Sequence, residues 1–138
     1  MNTVIVYWSG TGNTEAMAKA IAEGIKSKNG EVDVFSVSDV DSSIIEKYGK
    51  FAFGCPSMGA EVLEESEFEP FFTSIEGMLD GKKVALFGSY GWGDGEWMRD
   101  WCSRVRDIGA DLYDVGFIQK ESPDEAACEA FGAGFAGF

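Results

Sequence analysis

Val4-Ile5-Val6-Tyr7-Trp8-Ser9-Gly10-Thr11-Gly12-Asn13-Thr14 is the stretch that decides the fold. Val4–Trp8 is an apolar run that reads as a strand, and a helical pattern opens at Asn13. A strand that feeds a glycine-rich turn at a helix start is a place to hold phosphate. Backbone N–H groups point outward there, and the helix dipole adds positive potential. Ser9, Thr11 and Thr14 add hydroxyls, and Asn13 adds an amide. The loop has no Lys or Arg, so a phosphate would be held by neutral donors. No Lys follows Gly12 as a nucleoside-triphosphate loop requires. The position of the third glycine in a dinucleotide fingerprint is Glu15, which is bulky and charged. A ligand with one phosphate fits better than either.

The pattern repeats outward from this stretch. Met17, Ile21 and Ile25 recur at helical spacing up to Asn29-Gly30. Strands are predicted over Val32–Val37, Phe51–Gly54, Lys83–Gly88 and Asp114–Ile118. Between them fall a short helix over Asp41–Tyr48 and a longer one over Phe68–Leu79. A strongly amphipathic helix carries Trp97, Met98, Trp101, Val105 and Ile108. Ala127, Phe131, Phe135 and Phe138 share one face of a last helix, which Gly132, Gly134 and Gly137 weaken. Five strands alternating with helices predict an α/β fold, a parallel sheet covered on both faces and joined by right-handed crossovers. No repeat, linker or low-complexity tract interrupts residues 1–138, so one domain is expected.

Composition narrows the function classes. The chain has 138 residues, 45% of them hydrophobic, which supports a full core and argues against disorder. Its formal charge is −13, with no histidine. Nucleic acid is disfavoured as a partner, because phosphate contacts need cations. Basic faces of partner proteins suit this charge. The start of the chain lacks a basic n-region, and no apolar run is long enough to span a bilayer. A cytoplasmic monomer, away from the membrane, is therefore expected. Cys55, Cys102 and Cys128 form no C-x-x-C pair, so a metal site or disulfide framework is not expected.

Two more glycine-rich loops follow predicted strands. Cys55-Pro56-Ser57-Met58-Gly59-Ala60-Glu61 places a thioether beside a glycine and a carboxylate. Met58 suits contact with an aromatic ring, and Glu61 can accept a hydrogen bond from a ring N–H. Ser89-Tyr90-Gly91-Trp92-Gly93-Asp94-Gly95 sets an aromatic between glycines. That is poor core and a good stacking plate for a planar ligand. In a parallel sheet these loops meet at one edge, where ligands bind. A single phosphate, a polar linker and a large flat ring with N–H and C=O edges describe FMN.

Here the chain resembles the short-chain flavodoxins, especially those of clostridia-like anaerobic bacteria. The resemblance rests on YWSGTGNTEAMA, GCPSMGAEVLEESEFEPFF and GKKVALFGSYGWGDGEWMRDW, and covers nearly the whole chain. It implies a flavodoxin-like five-stranded sheet in the order 2-1-3-4-5. It also implies a low-potential one-electron carrier whose FMN works mainly between semiquinone and hydroquinone. By resemblance, Ser9, Gly10, Thr11, Gly12, Asn13 and Thr14 hold the phosphate. The Pro56–Glu61 loop meets the flavin, with Met58 and Gly59 on one side of the ring and Glu61 toward its N3–H. Trp92 stacks on the other side, and Ser89, Tyr90, Gly91 and Gly93 belong to the same loop. The peptide after Gly59 is expected to turn its carbonyl toward the flavin in the half-reduced form. Ala60 departs from the Asp or Gly familiar there. If the turned form is a type II turn, Ala60 takes a positive φ, at a cost of roughly 1–2 kcal/mol. Acids crowd residues 61–80 without a Lys or Arg, which disfavours an anionic reduced flavin.

Other readings compete. A small FMN-dependent quinone or nitro reductase usually needs further segments for substrate and NAD(P)H, for which 138 residues leave little room. A receiver domain needs acids at the end of the first strand, where this chain has Trp8-Ser9. A phosphatase built on Cys55 needs an Arg within its loop, and none is there.

Overall fold

A parallel sheet lies at the centre of the computed structural model, which describes residues 2–138. Met1, the first residue of the expected domain and of the start read for a signal peptide, lies outside the described residues. The sheet runs β2 (Val32–Ser36), β1 (Thr3–Tyr7), β3 (Lys50–Gly54), β4 (Lys83–Tyr90), β5 (Asp111–Leu112), with β6 (Phe117–Lys120) also on β4. All of these pairings are parallel. The expected order is therefore found.

Strand alternation sends side chains to two separate cores. Val4, Val6, Phe51, Phe53, Val84 and Leu86 face one cluster, with α2 (Phe68–Ile75) and α3 (Glu96–Ile108). Ile5, Ala52, Ala85 and Phe87 face the other, with α1 (Asn13–Ser27) and α4 (Glu125–Ala136). Helices thus cover both faces, and the central strands read as continuous apolar runs because neither side meets water.

The structure corrects the sequence reading in four places. The fifth strand is not Asp114–Ile118 but two pieces, β5 and β6, on either side of a break. Asp114 has φ 54°, outside strand geometry, so the chain leaves β4 and rejoins it two registers on. The helix expected over Phe68–Leu79 stops at Ile75 and ends in a 3₁₀ turn, Glu76–Met78. The short helix over Asp41–Tyr48 is a 3₁₀ segment, Ser42–Lys47, whose Ser43 N–H donates to Asp41.

The fourth correction concerns the last helix. Gly132 does not merely weaken α4. A Cβ there would lie 2.0 Å from the Ile21 carbonyl oxygen of α1, and one at Gly24 would lie 1.9 Å from the Glu129 carbonyl oxygen. These two glycines let α1 and α4 pack backbone to backbone. The far end of α4 is held by the buried Lys50, whose ammonium donates to the Phe135 and Ala136 carbonyls at 2.7 and 3.0 Å. A cation suits the negative end of a helix.

Candidate functional site

β1 lies between β2 and β3, and the helices that follow β1 and β3 cover opposite faces. The loops leaving β1 and β3 diverge, and a crevice opens between them. Three loops line it.

The first joins β1 to α1. The Ser9 hydroxyl accepts from the Gly12 and Glu15 N–H groups at 3.1 and 3.2 Å, which leaves its own proton free to donate. Gly12, at φ 99°, turns the chain into α1. Gly12 at the N-cap has no side chain to offer, and with Ser9 taking the Glu15 N–H, the Asn13 and Thr14 N–H groups of the first turn are left without a partner among the described residues, beside the crevice. Thr14 is buried, and its hydroxyl meets that of Ser89 at 2.8 Å, locking the first loop to the third.

The second loop follows β3. Cys55 N–H donates to the Phe87 carbonyl and Ser57 N–H to the Ser89 carbonyl, each at 3.1 Å, extending the β3–β4 pairing into the loops. Met58 and Val62 then exchange two backbone bonds of 2.9 Å and close a tight hairpin. Gly59 (φ 51°) and Glu61 (φ 55°) take the left-handed positions, and Ala60 does not. The strain expected at Ala60 belongs to the turned form and is absent from this one. Burial pushes the Cys55 thiol up to about 12, so it is an inert part of the core.

The third loop follows β4. Its Trp92 is 59% exposed, as a stacking plate and not a core residue would be. Glu61 reaches across to this loop. Its Oε1 accepts from Gly95 and Glu96 N–H at 3.2 and 3.1 Å, at the positive end of α3. Gly93 lies against that carboxylate, where a Cβ would come within 2.5 Å of it.

Between the loops is a cavity of about 240 Å³. Ser9, Gly10, Thr11, Asn13, Thr14, Pro56, Ser57, Met58, Ser89, Tyr90 and Gly91 line it, together with Trp8 and Glu121. Gly12, Gly59, Ala60, Glu61, Trp92 and Gly93 stand in the same loops outside its walls. Glu121 was missed in the sequence reading. It follows β6, and its N–H donates to the Tyr90 carbonyl at 2.7 Å. It is the one charged residue among the lining residues, which include no cation.

The residues present fit FMN. Ser57 Oγ is buried and has no hydrogen-bond partner among the described residues, as a hydroxyl reserved for a polar ligand would be. The start of α1, with the Asn13 and Thr14 N–H groups still unpaired among the described residues, supplies neutral donors for a phosphate. Met58 and the exposed Trp92 supply surfaces for a flat ring.

The acids of residues 61–80 are only partly free. The Glu64 carboxylate turns inward and accepts from the Ser66, Glu67 and Phe68 N–H groups and the Ser66 hydroxyl, capping α2. Burial opposes its charge, but these hydrogen bonds outweigh it and hold the carboxyl below its ordinary range. Glu69 takes both terminal nitrogens of Arg104 at 2.8 Å, and Glu76 takes Nε at 2.7 Å.

Comparisons with known proteins agree with this geometry. The family model described as flavodoxin matches residues 5–133. The chain is 52% identical to a flavodoxin of Clostridium beijerinckii, covering 93% of this chain and 94% of that one. It is 46% identical to a flavodoxin of Megasphaera elsdenii over 93% of each chain. The solution structure of the two-electron reduced Megasphaera elsdenii flavodoxin superposes with a TM-score of 0.92 at 45% identity, covering 99% of both chains. With its sheet order, its three-loop crevice and these relatives, the chain belongs to the flavodoxin family.

Proposed function

We propose that this protein is a one-electron carrier that binds FMN non-covalently in the three-loop crevice. One observation carries the reading. Neutral phosphate donors, a buried hydroxyl without a partner and an exposed indole converge from three separate loops on one sheet edge. FMN, when bound, supplies reversible one-electron chemistry, and the protein tunes and orients it.

The residues divide the work. Ser9 to Thr14 would hold the phosphate through backbone N–H groups and hydroxyls. Ser57 donates toward the polar linker, with Pro56, Ser89, Tyr90 and Gly91 forming the wall. Met58 and Gly59 cover one side of the ring, and Trp92 covers the other. Glu61 is held at the start of α3 through Oε1, which leaves Oε2 to accept from the ring edge. Ala60 and Gly93 complete the two turns. Glu121 places a negative charge at the cavity wall, which works against added negative charge on a ligand there.

The carrier works as a cytoplasmic monomer that meets basic faces of redox proteins briefly. The net charge of −13 supports such encounters, and three buried free thiols suit a reducing compartment. Among the described residues, no helix is long and apolar enough to cross a membrane.

Fluorescence titration with FMN and with riboflavin tests the assignment. Saturable one-to-one quenching by FMN is expected, with riboflavin at least tenfold weaker for want of the phosphate. Equal affinities would remove the phosphate role of the first loop. No binding of either would remove the cofactor.

A further inference from the structure

We propose that Trp8 and Glu67 are a pair of positioning residues under the phosphate loop and set the preference for a phosphorylated flavin over an unphosphorylated one. The proposal rests on the reading of the crevice as an FMN site.

The chain of contacts begins in the sheet. Trp8 N–H donates to the Gly54 carbonyl at 3.0 Å, which carries the β1–β3 pairing one step past Tyr7. Strand alternation then sends the indole to the side of Val4 and Val6. There it packs half-buried against that core and lines the crevice. Gly10 lies across the far edge of this ring. A Cβ at Gly10 would lie 2.9 Å from Cη2 and 3.2 Å from Cζ3 of Trp8. Gly12 needs to be glycine for its left-handed φ, whereas Gly10 needs to be glycine for the ring beneath it.

A ring can swing away from a crowded neighbour unless something holds it. The indole Nε1 donates to Glu67 Oε1 at 3.3 Å. Glu67 is itself fixed at the start of α2. Its N–H donates to the buried Glu64 carboxylate at 2.8 Å, and its carbonyl accepts from the Phe71 N–H at 3.2 Å. The surface under the phosphate loop is thus tied to α2 and not to the loop itself. Gly10, Thr11 and Gly12 are exposed and have little packing of their own. Ser9 holds the Gly12 N–H, and Trp8 supports Gly10 from below. Backbone donors bind an anion best when they already point at it, because less ordering is left to do on binding. Riboflavin has no phosphate, so ordering this loop benefits FMN alone. Charge does not account for the pair, since a carboxylate at Glu67 repels an anion. Its favourable effect comes through the ring it orients.

The test is the ratio of FMN to riboflavin affinity, read by flavin fluorescence in the wild type and in variants. Glu67→Ala should lower the ratio about fivefold, with riboflavin affinity unmoved. Glu67→Gln keeps an acceptor and loses the charge, and it should not lower the ratio. Trp8→Phe should lower it by a factor similar to Glu67→Ala. Gly10→Ala should lower it roughly tenfold in the wild type. In the Trp8→Phe background the shorter ring leaves room for the methyl, and the same change should cost less than about twofold. Glu67 is exposed, so Glu67→Ala decides the matter even if Trp8→Phe does not fold. An unchanged ratio in Glu67→Ala, or equal losses for both flavins, would overturn the proposal. So would a loss in Glu67→Gln as large as in Glu67→Ala, or the same loss from Gly10→Ala in both backgrounds. If the wild type binds neither flavin, the FMN reading fails, and inorganic phosphate becomes the probe, followed by the amide shifts of Gly10, Thr11 and Gly12. Weaker phosphate binding in Glu67→Ala than in the wild type would then support the pair. Equal binding, or no shift in the wild type, would overturn it.

Discussion

At the scale of single residues, the site is built from groups that serve a ligand better than they serve the fold. Ser57 is the clearest case, since its buried hydroxyl has no partner among the described residues. Ser57→Ala should therefore stabilise the FMN-free protein by about 1 kcal/mol and weaken FMN binding by a similar amount. Thermal melts with and without FMN check both signs, and a loss of stability without ligand would contradict the assignment. Trp92 is 59% exposed, so Trp92→Ala should leave the FMN-free melting temperature unchanged. It should weaken FMN binding by about 0.5–1.5 kcal/mol beyond lost burial. Unchanged affinity would end the stacking role. Glu121 shows where reading from sequence stops. Ser9 to Thr14 were legible because strand, glycine turn and helix start are consecutive. Glu121 reaches the cavity only because β6 pairs with β4, and its own neighbours in sequence carry no sign of that pairing.

At the scale of elements, two helices depend on contacts that propensity does not describe. Glu64 caps α2 with a buried carboxylate. Glu64→Gln should cost about 1–2 kcal/mol at neutral pH. The folded carboxyl lies below its ordinary value of 4.5. Its contribution is thus complete above that value and is lost as pH falls through the folded one. Denaturation of both proteins across pH 3–7 should show the gap closing toward acid, and a pH-independent gap would contradict the charge-based cap. Gly132→Ala should destabilise the protein by about 1–3 kcal/mol, although alanine is the better helix former. The added methyl meets the Ile21 carbonyl of α1. Chemical denaturation reads the sign directly. The sequence pattern marks Gly132 as a weak point of α4, because helix propensity is local and the approach of α1 is not. The broken fifth strand has the same origin, since only pairing with β4 separates β5 from β6.

At the scale of the molecule, the parallel sheet and the two-sided core were legible because five apolar runs alternate with helical ones, whereas the strand order came only from the resemblance to flavodoxins. The distribution of charge was less legible. Seven acids fall within residues 61–80, yet Glu64 caps a helix, Glu69 and Glu76 hold Arg104, and Glu61 holds the start of α3. A field that steers partners, as proposed, would therefore come from the whole surface and not from that segment alone. The central claim is that this fold and crevice make a one-electron carrier. Stepwise anaerobic reduction of the FMN-loaded protein, followed by visible absorption, tests it most directly. The account predicts two resolved one-electron phases. Bleaching of the flavin bands in one two-electron step would contradict it.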